Sequence, residues 1–259
     1  MDPCRQPIGF FDSGLGGISV LRETVRLLPG ENYLYYGDSL NAPYGGRTAE
    51  DVQALTSSAA EKLVASGAKA LVIACNTATT AAIRPLREQY PDLPIIGTEP
   101  AVKPAVEHHP GGRILVMATV MTLKEEKFQH LREQYQQDAE IIPVPCAGLM
   151  EYVEQGILRG GEVEAYLLDK LEPYMKVPVD AIVLGCTHYP FLTGTIRRIV
   201  GRSPEILDSS HGVAQQLERR LGELSLLNPA LSGGSVEFRN SLDGPEILEL
   251  SRKLFEYRD

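Results

Sequence analysis

The amino-acid sequence predicts an α/β protein of two pseudo-symmetric lobes, each a mainly parallel sheet flanked by helices. Short apolar runs rich in β-branched residues alternate with amphipathic segments along most of the 259 residues. Two of these runs, Leu71–Ala74 and Ala181–Gly185, each lead directly into a cysteine. The alternation also starts again near residue 113. Continuous apolar runs of this kind are typical of strands that are buried on both faces of a parallel sheet.

Turn and capping residues set the bounds of the predicted elements. Pro29 and Gly30 end the first helix, Thr48 with Asp51 forms a capping box at the start of the second, and Gly67 ends that helix. The predicted strands span residues 8–11, 33–36, 71–74, 94–97, 113–117, 140–144, 181–185 and 236–239. The predicted helices span residues 18–28, 48–67, 80–90, 122–137, 149–155, 163–175, 213–224 and 245–255.

The second half repeats the organisation of the first. Thr122 and Glu125 have capping-box spacing at the start of a helix. Cys75 and Cys186 are 111 residues apart, and the opening strands at Ile8 and Ile114 are 106 apart. These near-equal offsets indicate an internal duplication of one α/β unit. We therefore expect a first lobe of residues 1–98 and 207–259, a second lobe of residues 99–206, and an active site in the cleft between them.

Composition narrows the function classes. The net charge of −9 argues against a nucleic-acid partner, because phosphate binding needs clustered Lys and Arg. No apolar run is long enough for a membrane span, and the N-terminus has no signal-peptide core. Four cysteines without metal-ligand spacing predict neither a disulfide framework nor a metal site. A cytoplasmic location fits best.

Polar residues follow both strand-end cysteines. Asn76 and Thr77 follow Cys75, and Thr187 and His188 follow Cys186. A cysteine that closes an apolar strand is usually an inert core residue. Open α/β sheets, however, place their ligands at the carboxyl ends of strands. The polar neighbours therefore favour a functional interpretation of both thiols.

Two further turns are candidate ligand contacts. The turn Asp12–Gly17 is either a glycine-rich helix cap or an anion-binding nest beside the Asp12 carboxylate, which can exchange protons. The turn Ala42–Thr48 is either an ordinary loop or a source of backbone N–H groups for a carboxylate. His188 is either a hydrogen-bond donor or a group that lowers the thiol pKa and transfers a proton.

A matched pair of weak acids on opposite faces of one carbon is what a racemase requires. One thiolate removes the α-proton, and the opposite thiol delivers a proton to the other face. A Cys–His hydrolase dyad is an alternative, but it leaves Cys75 unexplained. A zinc site made of two thiols and one histidine is a weaker interpretation, because these residues are not closely spaced in the sequence.

The ordered motifs resemble those of the cofactor-independent aspartate/glutamate racemase superfamily, and within it glutamate racemases. The resemblance covers nearly the whole chain. It rests on FFDSGLGG, GDSLNAPYGGRT, IACNTAT, MATVMT, CAGLMEYVEQG, GCTHYP and LDSS.

The resemblance implies roles for individual residues. Cys75 would act on D-glutamate with help from Asp12. Cys186 would act on L-glutamate with help from His188, and Glu154 would support the histidine. The residues implied to hold substrate are Asp12, Ser13, Tyr44, Gly45, Asn76, Thr77, Thr187 and His188.

The resemblance also implies a homodimer that uses no pyridoxal phosphate, other cofactor or metal, with glutamate as its small-molecule partner. Its product would be D-glutamate for peptidoglycan. Three alternatives remain at this point: a racemase of aspartate or another acidic amino acid, a cysteine hydrolase, and a non-catalytic amino-acid-binding protein.

Overall fold

The computed structural model describes residues 2–124 and 126–258, which form two compact α/β units. The first unit contains the chain up to Thr98 together with Ser210–Glu256. The second contains Glu99–Ser209 and the residues that follow Glu256. The chain thus returns to the first unit after Ser209, whereas the sequence analysis set this boundary after Ile206. A strand that includes Leu207 and Asp208 belongs to the second sheet and accounts for the difference.

The elements confirm the α/β class. The strands are β1 (Ile8–Asp12), β2 (Tyr33–Gly37), β3 (Ala70–Ile73), β4 (Ile95–Gly97), β5 (Arg113–Ala118), β6 (Glu140–Pro145), β7 (Ala181–Leu184), β8 (Glu205–Asp208) and β9 (Val236–Asn240). The helices are α1 (Ile18–Leu27), α2 (Ala49–Ala65), α3 (Asn76–Gln89), α4 (Val102–His108), α5 (Val120–Lys124), α6 (Glu126–Tyr135), α7 (Leu149–Glu154), α8 (Gly161–Leu171), α9 (Thr193–Val200), α10 (Ser210–Glu223) and α11 (Pro245–Glu256).

The two sheets are parallel and share one strand order. The first sheet runs β4-β3-β1-β2-β9 and the second runs β8-β7-β5-β6. In each, the strand that leads to a cysteine pairs with the opening strand of its unit, with Ile8 opposite Ala70 and Ile114 opposite Ala181. The common order supports the predicted duplication, and β9 is an additional strand of the first unit.

The inner strands are buried on both faces, as their apolar runs predict. Every residue of β1, β2, β3 and β7 is buried. In the first unit, one core cluster combines strand residues such as Phe11, Leu71 and Ile73 with helix residues such as Val52 and Leu63. A buried parallel sheet fixes the positions of its strand ends, where the candidate site residues lie.

Several boundaries differ from the sequence-based prediction. Helix α3 begins at Asn76, not Thr80, because Cys75 itself caps the helix. The predicted helix over 122–137 begins two residues earlier, at Val120, and Glu125 lies outside the described residues. Pro173 lies in a short 3-10 turn that follows α8, so the predicted helix over 163–175 ends as an α-helix at Leu171.

Three elements were not predicted. Helix α4 contains Pro104, but this proline lies in the first turn, where its missing N–H costs little. Helix α9 has only eight residues, and β8 is a half-buried edge strand of four. Elements this short give weak periodic signals. Among the described residues, no helix is both long and apolar enough to cross a membrane.

Candidate active site

The first sheet places Asp12 and Cys75 at the carboxyl ends of neighbouring strands. Strand β1 ends at Asp12, and its neighbour β3 ends at Ile73, two residues before Cys75. The Ala74 N–H donates to the Phe11 carbonyl at 2.8 Å, which extends the parallel pairing almost to the cysteine. The loop after β1 therefore lies against the thiol, with Ser13 Oγ 3.4 Å from Cys75 Sγ.

Cys75 is the N-cap of a 14-residue helix. Its Sγ accepts from the Ala78 N–H at 3.5 Å, and its side chain is buried. The N-terminus of a helix carries partial positive charge, which favours an anion at the capping position. The Cys75 sulfur thus lies where a thiolate is stabilised by a backbone N–H group and by the neighbouring hydroxyl of Ser13.

Asp12 is held rigidly beside this thiol. Its carboxylate is fully buried, and Oδ2 accepts from the Gly14 N–H at 2.9 Å. Gly17, at the start of α1, passes so close that a Cβ there would lie 2.7 Å from the Asp12 Cβ. Only glycine fits this approach of helix to strand end. The DSGLGG motif therefore fixes the position of Asp12.

Tyr44 and Gly45 belong to a short 3-10 turn, Tyr44–Gly46. The Tyr44 ring is buried in the cluster that contains Cys75, and it packs on Phe11 with ring centroids 6.2 Å apart. Burial, a hydrogen bond to Asp38 and the nearby Cys75 and Asp12 raise the pKa of the Tyr44 phenol far above its usual range. The phenol is therefore neutral at physiological pH.

Asn76 and Thr77 form the first turn of α3 and are both buried. Asn76 Oδ1 has no hydrogen-bond partner among residues 2–124 and 126–258, although Asn76 is only 6% exposed. A buried amide oxygen without a donor is costly in the absence of a ligand. This oxygen is therefore a candidate acceptor for a ligand N–H group.

The second sheet carries a different set of groups around its thiol. Cys186 again lies two residues past the strand, and Thr187 and His188 follow it, all buried. His188 Nδ1 is 3.6 Å from Cys186 Sγ, and its Nε2 is 2.6 Å from Glu154 Oε1 at the end of α7. Cysteine, histidine and glutamate thus form a continuous chain.

Opposing effects set the protonation of His188. Burial by itself lowers the pKa of His188. Hydrogen bonds to Cys186 and Glu154, together with the charges of both, raise it by more than burial lowers it, so the pKa lies well above 6.5. A protonated His188 between Glu154 and Cys186 is therefore favoured. Such a group holds a proton next to Cys186.

Replacing Glu154 by glutamine is expected to lower the pKa of His188. The charge of Glu154, which stabilises the protonated ring, is lost, while burial continues to disfavour the protonated form. NMR titration of the imidazole nitrogens measures this change. Since the wild-type folded-state pKa is raised, His188 adds stability below about pH 6.5 that is lost as pH rises through the raised value. The stability deficit of the variant should therefore be largest near pH 6 and shrink towards alkaline pH.

Glu205→Gln is the matched control for this prediction. Glu205 also accepts from histidine, at 2.8 Å from His109 Nε2, but this pair is more exposed and remote from Cys186 in the fold. The control should leave the titration of His188 unchanged. An unchanged His188 pKa in Glu154→Gln would contradict the conclusion that Glu154 raises this pKa.

The other two cysteines lack these surroundings. Cys146 is buried, and burial together with the charge of Cys186 raises its pKa to about 12, so it stays a thiol at neutral pH. Cys4 donates its S–H to the Ser225 carbonyl. In the MATVMT turn, Thr119 Oγ1 accepts from the Thr122 N–H at 3.1 Å, so Thr119 caps the helix that begins at Val120.

The predicted site residues separate into two groups, one on each unit. Asp12, Ser13, Tyr44, Gly45, Cys75, Asn76 and Thr77 belong to the first unit, and Glu154, Cys186, Thr187 and His188 belong to the second. Sequence analysis missed the capping role of Cys75 and the contact of Tyr44 with Asp38. The sequence did contain a signal for Asp38, because this residue directly follows β2 and polar residues at strand ends are candidate ligands.

Fold and site together define a class: an α/β protein of two units with one strand order, each with a buried cysteine two residues past a strand. A family model for Asp/Glu/hydantoin racemases matches residues 8–217, and the chain belongs to this family.

Named relatives are consistent with that class. A glutamate racemase of Clostridium perfringens is 51% identical over 252 residues, 97% of each chain. One of Clostridium botulinum is 49% identical over 256 residues, 99% of each. A solved glutamate racemase of Escherichia coli, in complex with L-glutamate and the activator UDP-MurNAc-Ala, is similar with a TM-score of 0.85 and 27% identity. That match covers 96% of this chain and 95% of the other.

Proposed function

We propose that this protein interconverts L-glutamate and D-glutamate by proton transfer through two cysteine thiols. The observation that carries the proposal is the repeated thiol: Cys75 and Cys186 each lie two residues past the strand that pairs with the opening strand of its sheet. Sequence identities of 51% and 49% to glutamate racemases of Clostridium perfringens and Clostridium botulinum support glutamate as the substrate.

In the proposed reaction, one cysteine acts as thiolate and the other as thiol. The thiolate takes the α-proton of glutamate, which leaves a carbanion and a new thiol. The opposite thiol then gives its proton to the other face of the α-carbon and becomes the thiolate. The sulfur states are exchanged at the end, so the reverse reaction uses the same groups in opposite roles. Cys75 acts on D-glutamate and Cys186 on L-glutamate.

The neighbouring groups assist each thiol in this scheme. Asp12 and the N-terminus of α3 serve the Cys75 side. On the Cys186 side, His188 stabilises the thiolate as imidazolium and exchanges protons with it, while Glu154 keeps the ring charged and oriented.

Substrate binding uses the remaining residues. The Oδ1 of Asn76, which has no hydrogen-bond partner in the described part of the chain, accepts from the substrate ammonium group. Hydroxyl and backbone N–H donors hold the two carboxylates, which must be bound before a second negative charge develops at the α-carbon. The donors are Ser13, Thr77, Thr187 and the turn that contains Tyr44 and Gly45.

The biological setting completes the proposal. D-glutamate is a building block of peptidoglycan, and we propose that this chain supplies it from the cytoplasmic glutamate pool as a homodimer. No contact with nucleic acid or membrane is needed for this role.

Circular dichroism of the purified, reduced protein with each enantiomer of glutamate tests the proposal, with L-aspartate as control and no cofactor added. We expect the signals of both L-glutamate and D-glutamate to decay to zero. Decay with aspartate alone would keep the chemistry and change the substrate. Constant signals with folded, reduced protein would overturn the proposal.

A further inference from the structure

Asp38 is a buried carboxylate at the carboxyl end of β2 that the proposed proton transfer does not use. It is 4% exposed, and its backbone N–H donates to the Asp12 carbonyl at 3.0 Å. Its side chain accepts from the Tyr44 hydroxyl at 2.7 Å and from Asn41 Nδ2 at 3.0 and 3.1 Å. Both of these side-chain donors are neutral.

These contacts brace one loop across its two ends. Asp38 lies at the start of the segment, and Tyr44 opens the 3-10 turn at its far end. A second link runs from Arg47 Nε to the Asn41 carbonyl at 2.8 Å. The Asp38 carboxylate thus accepts hydrogen bonds from both Tyr44 and Asn41, and the Arg47 guanidinium holds the Asn41 carbonyl. Hydrogen bonds to a carboxylate are about twice as strong as neutral ones.

The Tyr44 hydroxyl has a single hydrogen, and it is directed at Asp38. The phenol oxygen therefore offers only lone pairs to a ligand, so the carboxylate donors that this turn contributes to the proposed binding mode are its backbone N–H groups. Their position depends on where the Tyr44 ring is held beside Cys75. Asp38 thus anchors the Tyr44–Gly46 turn through the Tyr44 hydroxyl.

We propose that Asp38 is a positioning residue that acts through Tyr44 to set the Tyr44–Gly46 turn for the substrate carboxylate. The proposal rests on the proposed function. Because the turn binds substrate in both directions of the reaction, loss of Asp38 affects L-glutamate and D-glutamate alike. The thiols keep their own contacts, so binding weakens more than the chemical step does.

The test compares Asp38→Asn with wild type in both directions of racemisation. Asparagine keeps the shape but removes the charge, and its amide group opposes that of Asn41. We expect KM for each enantiomer to rise about tenfold with kcat within about threefold, the pattern of lost uniform binding. In a double-mutant cycle, Tyr44→Phe should raise KM similarly, and the double variant should be no worse than either single variant.

Tyr33→Phe is the matched control. Tyr33 lies at the other end of β2, is equally buried, and donates to the Leu28 carbonyl at 2.7 Å. Its loss should lower the thermal unfolding temperature without changing KM. If Asp38→Asn does not fold, Asn41→Ala removes the other donors to the carboxylate and should raise KM by a smaller factor.

The outcomes separate this proposal from the proposed function. Wild-type protein that does not racemise glutamate refutes the function itself. Active wild type with unchanged KM in Asp38→Asn, or additive effects of the Asp38 and Tyr44 substitutions, overturns the positioning role. So does a KM rise in Tyr33→Phe equal to that in Asp38→Asn, because the effect would then follow stability alone.

Discussion

Replacing either Cys75 or Cys186 by alanine is expected to abolish racemisation of both enantiomers of glutamate. In the proposed reaction each thiol supplies a proton on one face of the α-carbon, so neither can substitute for the other. Removal of a positioned acid or base typically costs about 10²–10⁴-fold in rate, and alanine provides no replacement group. Initial rates measured by circular dichroism from L-glutamate and from D-glutamate give the size of the loss.

Cys146→Ala is the matched control for these variants. Cys146 is buried like Cys75 and Cys186, but its pKa is raised to about 12. The control should retain racemisation even if it is less stable. Full racemase activity of Cys75→Ala would falsify the pairing, because racemisation would then need only the Cys186–His188–Glu154 chain.

Isotope exchange distinguishes two separate bases from one. In deuterated water, product formed by wild-type protein should carry deuterium at the α-carbon from the first turnovers. Recovered substrate should contain little label at that stage, because the base that removes the proton returns the same proton. Rapid early labelling of substrate without inversion would contradict the two-base scheme.

The second large effect is on stability, at the ion pair between Lys69 and Glu31. Both side chains are almost fully buried, and Lys69 Nζ is 2.5 Å from Glu31 Oε2. The same Nζ also donates to the carbonyls of Cys4 and Leu226, and Glu31 Oε1 accepts from the Asn228 N–H. The pair therefore links four separate segments of the first unit.

Lys69→Met should lower the free energy of unfolding by about 3–5 kcal/mol, because it leaves the Glu31 carboxylate buried without its cation. Urea unfolding followed by circular dichroism measures the change. Arg84→Met is the control: the Arg84–Glu88 pair is exposed, and its loss should cost less than about 1 kcal/mol.

A double variant tests the cause of this loss. Lys69→Met combined with Glu31→Gln removes both charges and should be more stable than Lys69→Met alone. Equal stability of the two variants would show that the carbonyl contacts of Lys69 matter more than the charge.

Sequence alone predicted the α/β class and the strand ends that carry chemistry. Apolar runs such as Leu71–Ala74 can only be accommodated in a sheet covered on both faces, and the residue that follows such a run must lie at its edge. The repeat of this pattern at Cys186 predicted two equivalent thiols. The start of α3 was predicted wrongly: Cys75, two residues past the end of β3, is the N-cap of α3, and the sequence analysis began that helix four residues too late.

Only the tertiary structure decided which distant groups meet. His188 and Glu154 are 34 residues apart, and their contact depends on how α7 packs beside the loop after β7. The bonds of Asp38 to Tyr44 and of Lys69 to Leu226 likewise depend on loop paths. The periodicity of apolar residues indicates which face of an element is buried, because residues at regular spacing in the sequence share one face of a helix or strand. A hydrogen bond between remote side chains depends on the relative placement of whole elements, and no local pattern encodes that placement.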